Sequence, residues 1–219
     1  MGEGRLERLA PLAGAVFTVV FAIGFLTSGD VPGTDASGEE VISHYRDEGK
    51  IFLGILLLLL AGVLFMFFAG VLRGALVSSS RAPEWLATVV FGGAVIYAVG
   101  LAIFAMAQIM LIDAADLGRP EVAQALNIFD NDNFFPSVLG QSTMLLACGW
   151  HVLRSGVLPK WLAWVSVVVG LLALAGPAGF IAFLLFPFWV LAVSVLLYQR
   201  GARSEVGAPT PVIESSKLS

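Results

Sequence analysis

Long apolar stretches alternate with short polar connections along the whole chain of 219 residues. An α-helix rises about 1.5 Å per residue, so roughly 20 apolar residues are needed to cross the ~30 Å hydrocarbon core of a bilayer. The alternation typical of a membrane barrel is missing, and backbone groups in lipid must pair within their own segment, so these stretches predict helices. The six predicted spans are Leu9–Thr27, Ile51–Leu72, Trp85–Ile112, Phe134–Leu153, Trp161–Ala175 and Ala178–Tyr198.

The spans predict an all-α, polytopic transmembrane bundle over residues 1–200. Residues 201–219 are polar and contain Gly, Pro and Ser, so they predict a disordered cytoplasmic tail. The first apolar stretch exceeds the ~7–15 residues usual in a signal peptide, which predicts an uncleaved first helix.

Two of the polar connections have the pattern of a short amphipathic helix. Ser37-Gly38-Glu39-Glu40 has the spacing of a capping box, and Pro120 can open the second helix. The apolar face predicted for the first helix comprises Val41, Ile42 and Tyr45. The residues that share a side of the second helix are Val122, Leu126 and Phe129. We expect both helices to lie on the outer surface of the bundle as lids.

Composition and charge support a membrane protein and orient it. Hydrophobic residues make up 58% of the chain and charged residues 13%, against roughly 25% charged residues in an average soluble domain. The connections on one side hold nine of the 12 basic residues, namely Arg5, Arg8, Arg73, Arg81, Arg154, Lys160, Arg200, Arg203 and Lys217. The positive-inside rule therefore predicts that both termini are cytoplasmic. A net charge of −4 gives no basic footprint for nucleic acid.

A short motif occurs twice and indicates an internal repeat. Val71-Leu72-Arg73 recurs as Val152-Leu153-Arg154, and each copy is followed by a proline and a tryptophan that open the next span. The predicted repeat units are residues 37–112 and 118–176. Both arginines fall at the inner interface, where a guanidinium can anchor a helix or bind a lipid headgroup.

Polar side chains within or beside the spans are the candidate ligand-binding or headgroup-binding residues. They are His151, Arg154, Arg73, Gln141, Tyr97 and Gln108. The histidine can bind a headgroup, carry a proton or bond to a neighbouring helix. The glutamines and the tyrosine can line a pocket or join helices. Small residues suited to close helix packing are Ala94, Ala98, Ala102, Gly70 and Gly74.

Metal and catalytic motifs give weaker signals. His44, Glu40 and Glu48 share one face of the first outer helix and are weak candidate metal ligands, because a solvated acidic face with one histidine is the favoured explanation. The sequence from Asp130 to Asn133 begins like a calcium loop but lacks the turn glycine and the closing glutamate. No nucleophile elbow occurs, so no catalytic residue and no cofactor is predicted.

The predicted spans contain no Asp, Glu, Lys or Arg between their interfacial ends, which argues against ion coupling. The favoured function is a non-enzymatic membrane protein that holds a lipid-like ligand or a partner helix. The alternatives are a transporter of a small neutral or hydrophobic molecule and a lipid-acting enzyme that uses His44 or His151. The expected partners are membrane lipid, a second copy of the chain or a membrane protein.

The segment from Gly149 to Ala163 contains Arg154-Ser155-Gly156-Val157-Leu158-Pro159 and resembles a bacterial membrane family known as a domain of unknown function, number 4386. Members have a comparable turn between their fourth and fifth helices. The resemblance implies a six-helix protein of the bacterial plasma membrane and implies no catalytic residue.

Overall fold

The computed structural model describes residues 8–28, 31–46, 48–79, 81–176 and 178–206. Its helices are α1 Leu12–Ser28, α2 Gly38–Tyr45, α3 Glu48–Val77, α4 Glu84–Asp116, α5 Pro120–Asp132, α6 Phe135–Ser155, α7 Lys160–Ala173 and α8 Ala178–Val206. The predicted all-α class is confirmed. Helix α8 continues beyond the predicted start of the tail, and the rest of that tail, residues 207–219, lies outside the described residues.

Length and composition show membrane-like character in three of these helices. In the described residues, α3, α4 and α8 are long and apolar enough to cross a bilayer. Helices α1 and α7 are apolar but have 17 and 14 residues, or roughly 25 and 21 Å of length. Helix α6 has 21 residues and is less apolar. The six spans and their orientation therefore stay predictions.

Local sequence explains where the first two helices begin. Residues 8 and 9 are helical, residues 10 and 11 form a turn, and α1 begins at Leu12, with the amides of Ala13 and Gly14 bonded to the carbonyls of residues 10 and 11. Helix α2 begins at its predicted cap, where the amide of Glu40 donates to Ser37 Oγ at 3.3 Å. The three apolar residues predicted to share a face of α2 are buried.

The side of α5 that packs against the bundle differs from the apolar side predicted from the sequence. Of the three apolar residues predicted to share a side, Val122 and Phe129 are exposed and Leu126 is half-buried, whereas the buried residues are Ala123, Asn127 and Asp130. Asn127 Nδ2 donates to the carbonyl oxygens of Gly33 at 2.8 Å and Pro32 at 3.2 Å. The face that α5 turns to the bundle therefore combines these polar contacts with apolar packing by Ala123 and, in part, Leu126.

Helices α4 and α6 approach each other closely through glycine. A Cβ added to Gly93 would lie 2.5 Å from the amide nitrogen of Met144. A Cβ added to Gly140 would collide with the backbone of Tyr97. The predicted close packing at Gly70 and Gly74 is wrong, because both are exposed and a Cβ at either would meet nothing within 4 Å.

Among the three alanines of the predicted stripe, only Ala94 is buried in the helix contact. Ala98 is half-buried and Ala102 is exposed. The small-residue pattern of α4 therefore predicted the contact in part, and its glycines carry most of the close approach.

Aromatic side chains fill the middle of the bundle between α1, α3, α4 and α8. The rings of Phe65, Tyr97 and Phe186 pack with centroids 4.7–5.6 Å apart, and all three are fully buried. Helix α8 carries Pro187 in its interior. The hydroxyl of Thr18 lies 2.9 Å from the carbonyl oxygen of this proline and ties α1 to it.

The order of elements matches the order predicted for the repeat. A short helix, a long helix, an arginine and a proline–tryptophan turn into the next helix occur first in α2–α4 and then in α5–α7. The last helices of the two units differ in length, with 33 residues in α4 and 14 in α7. The duplication itself stays a prediction.

The glycine contact between α4 and α6 gives a test of the fold. We expect Gly93→Ala to destabilise the protein by about 1–3 kcal/mol, because the new methyl group meets backbone that cannot move aside. The melting temperature in detergent should fall by roughly 2–4 °C for each kcal/mol. The matched control is Gly92→Ala, whose Cβ meets nothing within 4 Å. Equal melting temperatures for the two variants would contradict the packing described.

Candidate functional site

A cavity of about 340 Å³ lies at the end of the bundle where α2 and α5 are placed. This volume falls within the ~300–1,000 Å³ range of ligand pockets. The cavity is walled mainly by aromatic side chains from α1, α4 and α8 and by Phe134, the N-cap residue of α6. Its apolar lining consists of Phe21, Phe25, Val31, Leu58, Leu101, Phe104, Phe134, Phe180 and Phe183.

The polar end of the cavity is built at the junction between α5 and α6. We define it as Asp130, Asn131, Asn133 and Ser137. Asp130 and Asn133 are each 4% exposed, and Ser137 is 3% exposed. The junction has no long loop, because α5 ends at Asp132 and α6 begins at Phe135. The backbone therefore fixes these polar groups at one end of an otherwise apolar chamber.

Gln108 connects this polar end to two helices. Its Nε2 donates to Asp130 Oδ2 at 2.6 Å, and its Oε1 accepts from the hydroxyl of Tyr45 at 3.1 Å. The chain Tyr45–Gln108–Asp130 thus joins α2, α4 and α5. All three side chains are buried.

Burial dominates the electrostatics of this chain. It raises the pKa of Asp130 to about 7, although the hydrogen bond from Gln108 acts in the opposite direction. Burial also raises the pKa of Tyr45, and the charge on Asp130 adds to that shift. Near neutral pH the Asp130 carboxyl is therefore divided between its ionised and neutral forms.

Several buried polar atoms at this end have no protein partner. Among the described residues, Asp130 Oδ1, Asn133 Nδ2 and Asn127 Oδ1 form no hydrogen bond. The first two belong to residues that line the cavity. Buried polar groups are normally hydrogen-bonded, and leaving one unpaired costs about 1–3 kcal/mol. These unpaired atoms have almost no accessible surface, so they lie behind the lining of the cavity.

A family model described as a domain of unknown function (DUF4386) matches residues 12–200. The match covers most of the 219 residues. The chain belongs to the DUF4386 family. The resemblance drawn from the turn before Pro159 is thereby confirmed. Comparison with curated proteins and with solved structures finds no match.

The candidate residues of this DUF4386 chain are distributed between its two ends and its core. Gln108 lies at the cavity end through its bond to Asp130. Gln141 and Tyr97 lie in the core, where Gln141 Nε2 donates to the carbonyl oxygen of Ala182 at 2.7 Å. Tyr97 is fully buried among phenylalanine rings, and its hydroxyl has no partner among the described residues.

The remaining polar candidates lie near the ends of α3 and α6. His151 is fully buried, with Nδ1 3.3 Å from Ser155 Oγ. Arg154 stacks its guanidinium over the ring of Trp150 at 5.3 Å. Arg73 lies 3.8 Å from Glu84 in an exposed ion pair. None of these three arginine and histidine side chains lines the cavity.

The candidate metal ligands lie on and beside α2. The ring of His44 packs edge-on against Tyr45, with centroids 5.0 Å apart, and Glu40 is exposed. The side chain of Glu48 lies outside what the structure describes. In the described part of the chain, no three His, Cys, Asp or Glu side chains cluster to hold a metal ion.

Sequence reasoning missed the polar end of the cavity. Residues from Asp130 to Asn133 were tested only as a calcium loop, whereas they form the end of α5 and its cap. The signal that identifies them is the three-residue spacing of Asn127, Asp130 and Asn133, which places polar groups on one side of a helix. All three are buried.

The raised pKa of Asp130 predicts a pH-dependent stability. The folded state keeps a proton that the unfolded state releases between about pH 4 and pH 7, so stability falls as the pH rises through that window. Asp130→Asn removes this effect, and its amide oxygen can still accept from Gln108. We expect the melting temperature of the variant, relative to the unchanged protein, to rise from about pH 5 to about pH 8.

Asp132→Asn is the matched control, because Asp132 is an exposed carboxylate on the same helix. Its melting curve should follow that of the unchanged protein across the same pH range. If Asp130→Asn also followed it, the buried, proton-holding carboxyl would be refuted.

Proposed function

We propose that this protein is a six-span protein of the bacterial plasma membrane that holds a lipid-like ligand in the cavity beneath α5. The observation that carries the proposal is the chamber itself, which has aromatic walls and a polar end at the α5–α6 junction. The protein acts in this proposal as a binding protein and not as an enzyme.

The distribution of apolar and polar residues around the cavity favours an amphiphilic ligand. Apolar walls gain about 25 cal/mol for each Å² of apolar ligand surface that they remove from water. The polar residues at the α5–α6 junction give the cavity one polar region that can hold a polar group. A ligand with an apolar body and one polar end satisfies both parts.

Transport of a small neutral molecule is the alternative, and the core gives it less support. The packed rings of Phe65, Tyr97 and Phe186 fill the bundle centre, and Phe183 both lines the cavity and lies 6.2 Å from the Tyr97 ring. A transported molecule would have to displace these rings. Binding without passage needs no such rearrangement.

A second apolar groove on the surface of the bundle suits a different kind of ligand. The groove between α3 and α4 has a volume of about 380 Å³ and is lined only by apolar residues and glycine. Without a polar group it selects no headgroup, so lipid tails or an apolar partner helix suit it. The cavity beneath α5 is therefore the better ligand site.

Filling the cavity tests the proposal. Val31→Trp places a large ring in the chamber, and we expect it to remove bound lipid because the two cannot share about 340 Å³. Native mass spectrometry of gently solubilised protein measures the retained mass. Val19→Trp is the matched control, since Val19 is 58% exposed on α1 and does not line the cavity. The same bound mass on all three proteins, or none on the unchanged protein, would count against the proposal.

The proposed orientation has its own test. In a Cys148→Ala background, we expect an impermeant maleimide to label Ser43→Cys in intact spheroplasts, because Ser43 lies on α2 at the predicted outer side. Ser78→Cys, after α3, should react only once the membrane is opened. Both serines are exposed. Labelling of both from the same side would overturn the six-span orientation.

A further inference from the structure

We propose that the turn between α6 and α7 binds the phosphate of an anionic phospholipid through Arg154 and Lys160. The turn is far from the cavity beneath α5. Ser137 lines that cavity near the start of α6, and Arg154 lies in the last turn of the same helix, roughly 25 Å further along. The orientation proposed above places the turn in the cytoplasmic leaflet. It is therefore a second lipid site, separate from the cavity.

The two copies of the arginine–proline–tryptophan motif differ in the residue that follows the proline. In the first copy this residue is Glu84, which lies 3.8 Å from Arg73 in an ion pair. In the second copy it is Lys160, which carries the same charge as Arg154. Within the described part of the chain, neither Arg154 nor Lys160 forms an ion pair. The second turn therefore lacks the negative charge that the protein itself supplies to the first turn.

Two tryptophans support the guanidinium of Arg154. Its Cζ atom lies 5.3 Å from the centre of the Trp150 ring, which is within range of a cation–π contact. The ring of Trp85, from the turn of the first copy, packs edge-on against Trp150 with centroids 6.3 Å apart. The contact covers one face of the guanidinium, and the N–H groups at its edge can bind two phosphate oxygens side by side. Arg154 is thus positioned for a phosphate before one binds.

The surroundings of the turn favour a phospholipid over a phosphate dissolved in water. Arg154 and Lys160 are exposed, and so are the rings of Trp85 and Trp150. Exposed tryptophans beside arginine and lysine are typical of the level at which phospholipid headgroups lie. Leu153, next to Arg154, is also exposed. The cations can therefore bind the phosphate while the acyl chains lie against apolar side chains of α4 and α6.

The charges of the turn also discriminate between headgroups. Phosphatidylglycerol carries one negative charge on its phosphate, and both cations attract it. Phosphatidylethanolamine carries the same phosphate together with an ammonium group, which Arg154 and Lys160 repel. We therefore expect the site to prefer the anionic lipid.

Native mass spectrometry of the full-length protein, stripped of lipid in detergent, measures this preference. The two probes are phosphatidylglycerol and phosphatidylethanolamine with the same acyl chains. We expect the first phosphatidylglycerol to bind about tenfold more tightly, and Arg154→Gln to reduce this ratio to about one, because a charge-assisted bond to the phosphate is lost. Arg81→Gln is the matched control, since Arg81 is an exposed arginine between α3 and α4 and its loss should leave the ratio unchanged.

Exchanging the residues that follow the two prolines tests the role of the missing carboxylate. Lys160→Glu gives the second turn the carboxylate that the first turn has, so the ratio should fall as far as in Arg154→Gln. Glu84→Lys removes the partner of Arg73, so a second phosphatidylglycerol should bind about tenfold more tightly than phosphatidylethanolamine. Both substituted residues are exposed, so neither change disturbs the core.

A soluble competitor separates a lipid from a free phosphate. Glycerol 3-phosphate has no acyl chains, and an equal concentration of it should not displace phosphatidylglycerol. Displacement would show a phosphate site that does not need a lipid and would overturn the proposal. Equal affinity of the unchanged protein for the two lipids would overturn it too, as would the same loss in Arg81→Gln and Arg154→Gln.

The remaining variants decide whether the site works as described. If Lys160→Glu kept the full ratio, or if Glu84→Lys bound no second phosphatidylglycerol, the role of the missing carboxylate would be refuted. Val31→Trp, which fills the cavity, should leave the ratio unchanged. A site at the turn can therefore stand if the cavity ligand is wrong, and loss of the ratio in Val31→Trp would overturn the separate site.

Discussion

The side-chain amide of Gln108 holds the two short helices to the bundle, because it donates to Asp130 and accepts from Tyr45 at the same time. An amide is one of the few side chains that carries both functions, and each bond is strengthened by apolar surroundings. Rotation of α5 would break the bond to Asp130 and move the polar end of the cavity with it. The position of α5 over the cavity and the position of the polar residues at the end of the cavity thus both depend on Gln108.

Much of the fold was predictable because it depends on local or one-dimensional signals. The cap at Ser37 and the apolar face of α2 follow from neighbouring residues, and hydropathy alone located the long helices. The rotation of α5 was not predictable in this way, since Asn127 binds carbonyls 94 and 95 residues away in sequence and Ala123 packs in a cluster with distant helices. The close packing predicted at Gly70 and Gly74 was also wrong, because a sequence does not show which of its glycines will meet another helix.

The residues of the candidate site were likewise predictable only in part. Gln108 is visible in the sequence as one of the few polar residues in a long apolar run, and the structure gives it two buried partners. Asp130 and Asn133 are hidden because polar residues in a connecting segment normally face water. They are buried because α5 packs over the cavity, and the amino-acid sequence of this segment does not show how α5 will pack.

The proline inside α8 creates a point of easy bending next to the segment that lines the cavity. Pro187 has no N–H, so the carbonyl oxygen of Phe183 lacks its usual partner one turn later, and bending the helix there breaks one bond fewer than elsewhere. Phe180 and Phe183 stand on the segment before this joint, whereas Trp189 and Ser194 pack after it. The point at which α8 bends most easily therefore falls just after the segment that lines the cavity.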